Sequence, residues 1–188
     1  INNLYPGAKL TIAGIGESLD GLKKLVRKLQ LHDSVIFMGK ITEKQKMALL
    51  AQSWIMLQPS MIEGWGITVI EANAAGTPVI ASDVDGLRDS VLDNKTGLLV
   101  QASNEAAFVS QIKLLFEDTA LRKNLSTAAF AWARKFSWDR SARKFFSVLF
   151  SVHRPKRFYH KVSKRKIQSL LPAYKEVIEN TYSNPVNL

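Results

Sequence analysis

Glu63 and Glu71 stand with seven residues between them, around Gly64-Trp65-Gly66-Ile67-Thr68. Carboxylates accept hydrogen bonds from hydroxyls well and repel phosphate. A helical pattern starts near Gly66, and the first turn of a helix leaves backbone N–H groups open to an anion. Glu71 falls about five residues into that helix, roughly 7 Å along its axis at ~1.5 Å per residue. A phosphate at the helix start would have a carboxylate on each side. A ligand with hydroxyls at both ends and a diphosphate between them is a nucleotide sugar. Gly64 and Gly66 would let it approach the backbone closely. Each residue also has a plainer reading. Glu63 could cap the helix, Glu71 could sit on a solvated face, and Trp65 could pack in the core.

The neighbouring elements must position these groups. Trp54-Ile55-Met56-Leu57 reads as a fully buried strand bounded by Pro59-Ser60, and Val79-Ile80-Ala81 as the next strand after Gly76 and Pro78 end the helix. Lys9–Ala13, Val35–Met38 and Leu98–Val100 complete five strands, expected in one parallel sheet. Ser18–Leu31 reads as an amphipathic helix with Leu22, Leu25, Val26 and Leu29 on one face. Thr42 is a plausible cap for a helix whose buried face is Ala48–Ala51. Gly14-Ile15-Gly16 could suggest a dinucleotide site, but the third glycine position holds Leu19 and no acidic residue follows at the required distance. It reads instead as a glycine turn that lets a nucleotide approach, or as a tight strand–helix turn. Residues 104–152 are helical with a break at Phe136-Ser137-Trp138-Asp139.

These segments carry a family resemblance. The Glu63–Glu71 stretch resembles the paired-glutamate motif of retaining glycosyltransferases of family four. Pro6–Glu17, Val35–Lys40, Gly86-Leu87-Arg88-Asp89 and Thr96–Val100 resemble further segments of that family, in the right order. Ser137-Trp138 resembles its closing segment. The resemblance spans roughly residues 6 to 150. It implies a Rossmann-like α/β domain, the second, donor-binding half of a B-type glycosyltransferase fold. It also implies hexosyl transfer from a nucleotide-diphosphate sugar with retention of configuration. By resemblance, Glu63 would hold hydroxyls of the donor hexose as the catalytic residue. Gly64, Trp65, Gly66, Ile67 and Thr68 would hold sugar and phosphate. Glu71 would bind the ribose. Gly14 and Gly16 would lie against the nucleotide, and Met38 and Gly39 near the base. The family supplies an Arg and a Lys upstream for the diphosphate, and no matching segment precedes Lys9. The chain is therefore expected to lack the N-terminal acceptor-binding domain and to be inactive alone. A non-catalytic nucleotide-sugar binding or regulatory module is the alternative, and an epimerase or phosphorylase on the same fold is a third reading.

The 188 residues are 46% hydrophobic, enough for one core, and contain no cysteine, which excludes disulfides and zinc–thiolate sites. No apolar run of membrane-spanning length and no signal peptide is visible, and the chain opens on Ile rather than Met, so its true start is expected upstream. His32, His153 and His160 are isolated, and neither a metal nor a cofactor is expected. Residues 1–100 carry 10 basic and 10 acidic side chains, so the net charge of +10 lies wholly beyond residue 100. A nucleotide-sugar domain is expected over 1–152 and a helical, basic tail over 153–188. Seven basic residues fall between Arg154 and Lys166, with Phe158 and Tyr159 among them and no acid. Such a stretch could be a solvated linker or meet an anionic lipid surface, with nucleic acid ranked behind both. Ile167, Leu170, Leu171, Tyr174 and Ile178 form an apolar stripe expected to dock on protein. A cytoplasmic enzyme, peripheral on the inner face of the plasma membrane, is the resulting expectation.

Overall fold

A computed structural model describes residue 1 and residues 3–152. Strands and helices alternate as the apolar runs require: β1 (Leu10–Ala13), α1 (Leu19–Lys28), β2 (Val35–Gly39), α2 (Glu43–Gln52), β3 (Met56–Gln58), α3 (Ile67–Ala74), β4 (Val79–Ser82), α4 (Leu87–Ser90) and β5 (Gly97–Val100). Three helices follow: α5 (Glu105–Glu117), α6 (Thr119–Ala133) and α7 (Trp138–Val152). The chain divides into two compact units, Ile1–Arg140 and Ser141–Leu188. All five strands and α1 to α6 belong to the first. The expected basic tail over 153–188 and its apolar stripe lie outside the described residues.

The five strands were expected in one sheet, and they form two. β1 pairs with β2, while β3, β4 and β5 pair in that order, all in parallel. Among the described residues, β1 and β3 each have one hydrogen-bonded neighbour, so the two ladders stay separate. The core follows from this. β4 is fully buried and alternates between two apolar layers. Val79 and Ala81 join Val69 and Ala72 of α3, Leu87 of α4 and Val91. Ile80 faces the other way, among Leu98 and Val100 of β5, Leu115 of α5 and Leu125 of α6. Burial on both faces explains why β4 reads as a continuous apolar run.

Three local expectations change. β3 is an edge strand that begins at Met56, and its residues are only half-buried. Trp54 lies outside it, 57% exposed, 5.5 Å from the Phe116 ring with the Arg122 guanidinium 4.3 Å from its centroid. α1 is amphipathic as read, yet Leu22, Leu25 and Leu29 remain exposed because nothing among the described residues covers them. In α2 the alanines Ala48 and Ala51 are exposed, and Leu50 is the residue that packs on the core. Among the described residues, no helix is long and apolar enough to cross a membrane.

Candidate functional site

The loop after β3 delivers Glu63 to the start of α3. Gly66 occupies the N-cap in left-handed geometry, φ 72° and ψ 57°, and among the described residues no side chain caps the helix. Its carbonyl accepts from Val69 at 2.9 Å and Ile70 at 3.3 Å. As the first two residues of the helix, Ile67 and Thr68 have no intrahelical partner for their amides, and both residues are exposed. The capping role considered for Glu63 does not occur. Its Oε1 accepts from the Gly64 amide at 3.1 Å and its Oε2 from the Gln58 side-chain amide at 3.2 Å. Gln58 ends β3, also donates to Ser60 at 2.8 Å and accepts from the Thr68 hydroxyl at 3.4 Å. This one amide ties both flanks of the loop together.

Packing beneath the loop is tight. A Cβ on Gly66 would stand 2.8 Å from Leu87 Cδ2 and 3.0 Å from Ser90 Oγ. Gly86, at φ 78°, presses against the loop itself: its Cβ would lie 2.3 Å from the Glu63 carbonyl oxygen and 2.7 Å from that of Gly64. Only glycine fits there. Trp65 is half-buried, its ring edge-on to Phe136 at 4.9 Å, and Phe136 meets Trp132 at 5.0 Å. The Trp132 indole donates to the Ser90 carbonyl at 3.0 Å. The aromatic chain thus joins α6 to the α4 segment on which Gly66 rests.

Glu71 lies one turn further along α3, away from open solvent. Its Oε1 accepts from Lys46 Nζ of α2 at 2.9 Å, and each of the two side chains is 26% exposed. Its Oε2 is buried and has no hydrogen-bond partner among the described residues. The solvated-face reading therefore fails. The hydrogen bonds from Lys46 to Glu43 and then Glu71 raise the lysine above its ordinary value, so it is charged at neutral pH.

A cavity of about 380 Å³ opens beside Glu63, lined by Met61, Ile62, Asp83, Val84, Asp85 and Arg88 as well. Arg88 is committed to its neighbours, donating to Asp83 Oδ1 at 2.6 Å and Asp85 Oδ1 at 2.8 Å. The carboxylates, Asp83 first, raise its pKa. The cavity thus presents hydrogen-bonding carboxylates next to a neutralised guanidinium, which suits a polyhydroxylated ring rather than a phosphate.

The sequence matches the glycosyl transferases group 1 family over residues 1–132. The chain belongs to that family. It is 37% identical over 123 residues to a D-inositol 3-phosphate glycosyltransferase of Streptomyces avermitilis, covering 65% of this chain and 26% of the relative. The sucrose-phosphate synthase of Thermosynechococcus elongatus superposes with a TM-score of 0.71 at 28% identity, over 79% of this chain and 40% of that one. Anabaena HepE, solved with UDP-glucose, shares the fold at a TM-score of 0.72 and 23% identity, over 78% and 42%. The chain thus spans less than half the length of these relatives.

In this group 1 glycosyltransferase chain, the remaining residues singled out in the sequence lie at the carboxyl ends of β1 and β2. The Gly14 amide donates to the Gly39 carbonyl at 2.8 Å, which ties the two turns together. Gly14 and Gly16 have open space where a Cβ would point, and Met38 is exposed. Parallel sheets bind ligands at such carboxyl ends. Glu63 to Glu71 hold the corresponding end of β3. Sequence reasoning missed Gln58, Lys46 and the buttressing role of Gly86. Gln58 carried one readable signal, a polar side chain closing an otherwise apolar strand.

Proposed function

We propose that this chain is the donor-binding domain of a retaining hexosyltransferase that uses a nucleotide-diphosphate sugar. The observation that carries this is the uncapped start of α3 set between two oriented carboxylates. In this reading the amides of Ile67 and Thr68 take the phosphate. Glu63 takes the hexose hydroxyls beside the cavity. Glu71 takes the ribose, and the Gly14–Gly16 turn with Met38 and Gly39 borders the nucleoside. The UDP-glucose bound by HepE fits the same ligand class. No step in this scheme calls on a metal. Because the chain spans 26% of the D-inositol 3-phosphate glycosyltransferase relative, the acceptor is assigned to another domain of the whole enzyme. The chain alone is expected to bind nucleoside diphosphate at high micromolar Kd, about 5–6 kcal/mol, and to transfer no sugar. Calorimetry with UDP, GDP and ADP, followed by a transfer assay with labelled nucleotide sugars, checks both. Efficient transfer by the chain alone would refute the two-domain reading.

The basic residues from Arg154 to Lys166 support a cytoplasmic enzyme held on an anionic leaflet, each charge near the surface contributing about 1 kcal/mol. The expected result is co-sedimentation with phosphatidylserine vesicles that falls as salt rises, since the Debye length is only about 8 Å at 0.15 M. A chain ending at Val152 should lose vesicle binding and keep its nucleotide affinity. Equal sedimentation of both chains would remove the membrane role.

A further inference from the structure

Lys46 belongs to no motif that brought the other site residues to attention. It sits on α2, whose start is fixed by a complete capping box. The Gln45 amide donates to Thr42 Oγ1, and the Thr42 amide donates to the Gln45 side chain at 2.8 Å. One turn on, the Lys46 amide donates to the Thr42 carbonyl at 2.8 Å. This anchors the residue from which Nζ reaches Glu43 Oε2 at 2.8 Å and Glu71 Oε1 at 2.9 Å. Glu43 is 83% exposed, so its pairing is weak. The pair with Glu71 joins two helices that follow different sheets, and it is the more enclosed of the two.

The result is an asymmetric carboxylate. Lys46 occupies Oε1, while Oε2 is buried and unmatched. A buried charged acceptor without a donor is costly, so the bond that Lys46 makes to Oε1 is what holds this carboxylate in place. An ammonium carries three donors, and Lys46 has spent two of them on the protein. We infer that Lys46 is a positioning residue of the nucleotide site, clamping Glu71 through Oε1 and so fixing the carboxylate in the place proposed for ribose binding. The clamp also offsets the charge of Glu71, so a carboxylate can sit near a diphosphate without repelling it. This rests on the ribose role proposed for Glu71.

The test uses the full chain. UDP, GDP and ADP are titrated first. The tightest binder is then compared with its 2′,3′-dideoxy counterpart on the wild type and on Lys46→Met, Lys46→Arg, Glu43→Gln, Glu71→Ala and the Lys46→Met/Glu71→Ala double variant. Lys46→Met is expected to weaken the ribonucleotide about tenfold or more, as a lost charged hydrogen bond would. The dideoxy compound, already weak, should change far less. Lys46→Arg should restore part of the loss, and Glu43→Gln should change little. Adding Lys46→Met to Glu71→Ala should cost nothing further. Equal losses for both compounds, a full second loss in the double variant, or wild-type affinity in Lys46→Met would each overturn the clamp. If Glu71→Ala weakens the ribonucleotide while Lys46→Met does not, the ribose role stands and the clamp alone falls. If no diphosphate binds, or Glu71→Ala binds normally, the functional reading falls and takes the clamp with it.

Discussion

Gly86→Ala is expected to lower the melting temperature by about 10 °C and to remove nucleotide-sugar binding. The added methyl would meet the Glu63 and Gly64 carbonyl oxygens at 2.3 and 2.7 Å, from a backbone held at φ 78°. Left-handed strain on a non-glycine residue costs about 1–3 kcal/mol, and overpacking costs a similar amount again. For a chain of this size each kcal/mol is worth about 2–4 °C. Glu63 cannot keep its place beside the cavity when its own carbonyl is pushed away. Gly64→Ala is the matched control. Its Cβ would meet nothing within 4 Å, so it should melt within about 2 °C of the parent. Calorimetric melting of the two variants checks the contrast. Similar melting curves would mean that the Gly86 loop does not buttress Glu63.

The second large effect separates the two carboxylates. Glu71→Ala should weaken free nucleoside diphosphate and nucleotide sugar alike, because the ribose is common to both. Glu63→Ala should weaken the nucleotide sugar and leave the free nucleotide nearly unchanged. Either lost charged hydrogen bond is expected to cost about 1.5–3 kcal/mol, roughly 10- to 150-fold in Kd. Calorimetry with both ligands on both variants reads this out. Equal impairment of free-nucleotide binding in the two variants would refute the division.

The legible part of this chain was the part written in local pattern. β4 declared itself because a strand buried on both faces must be apolar throughout, and Gly76-Thr77-Pro78 marked the helix end before it. The Glu63–Glu71 spacing, together with glycines at a helix start, gave the candidate site its chemistry. The rest depended on partners distant in sequence. Trp54 looks like core from its neighbours, but its place over Phe116 depends on α5, some sixty residues away. The separation of β1–β2 from β3–β4–β5 is a matter of which edges meet, and no strand reports that alone. Gly86 reads as an ordinary helix-opening turn until Glu63 is brought against it. Lys46 is one of many surface lysines until α2 lies beside α3. Trp65 gave no sign that its ring would be engaged by Phe136.

The most direct measurement is amide chemical-shift mapping of the isotopically labelled chain titrated with UDP-glucose, and with the GDP and ADP sugars in parallel. At least one of them should produce saturable shifts centred on the amides of Gly64 to Thr68 and on Glu71, with a second group at Gly14, Gly16 and Gly39. Free nucleoside diphosphate should reproduce the shifts around Glu71 and the glycine turns and spare much of the effect at Glu63. Saturable shifts confined to another surface, or none with any of the three donors, would contradict a nucleotide-sugar site at the start of α3.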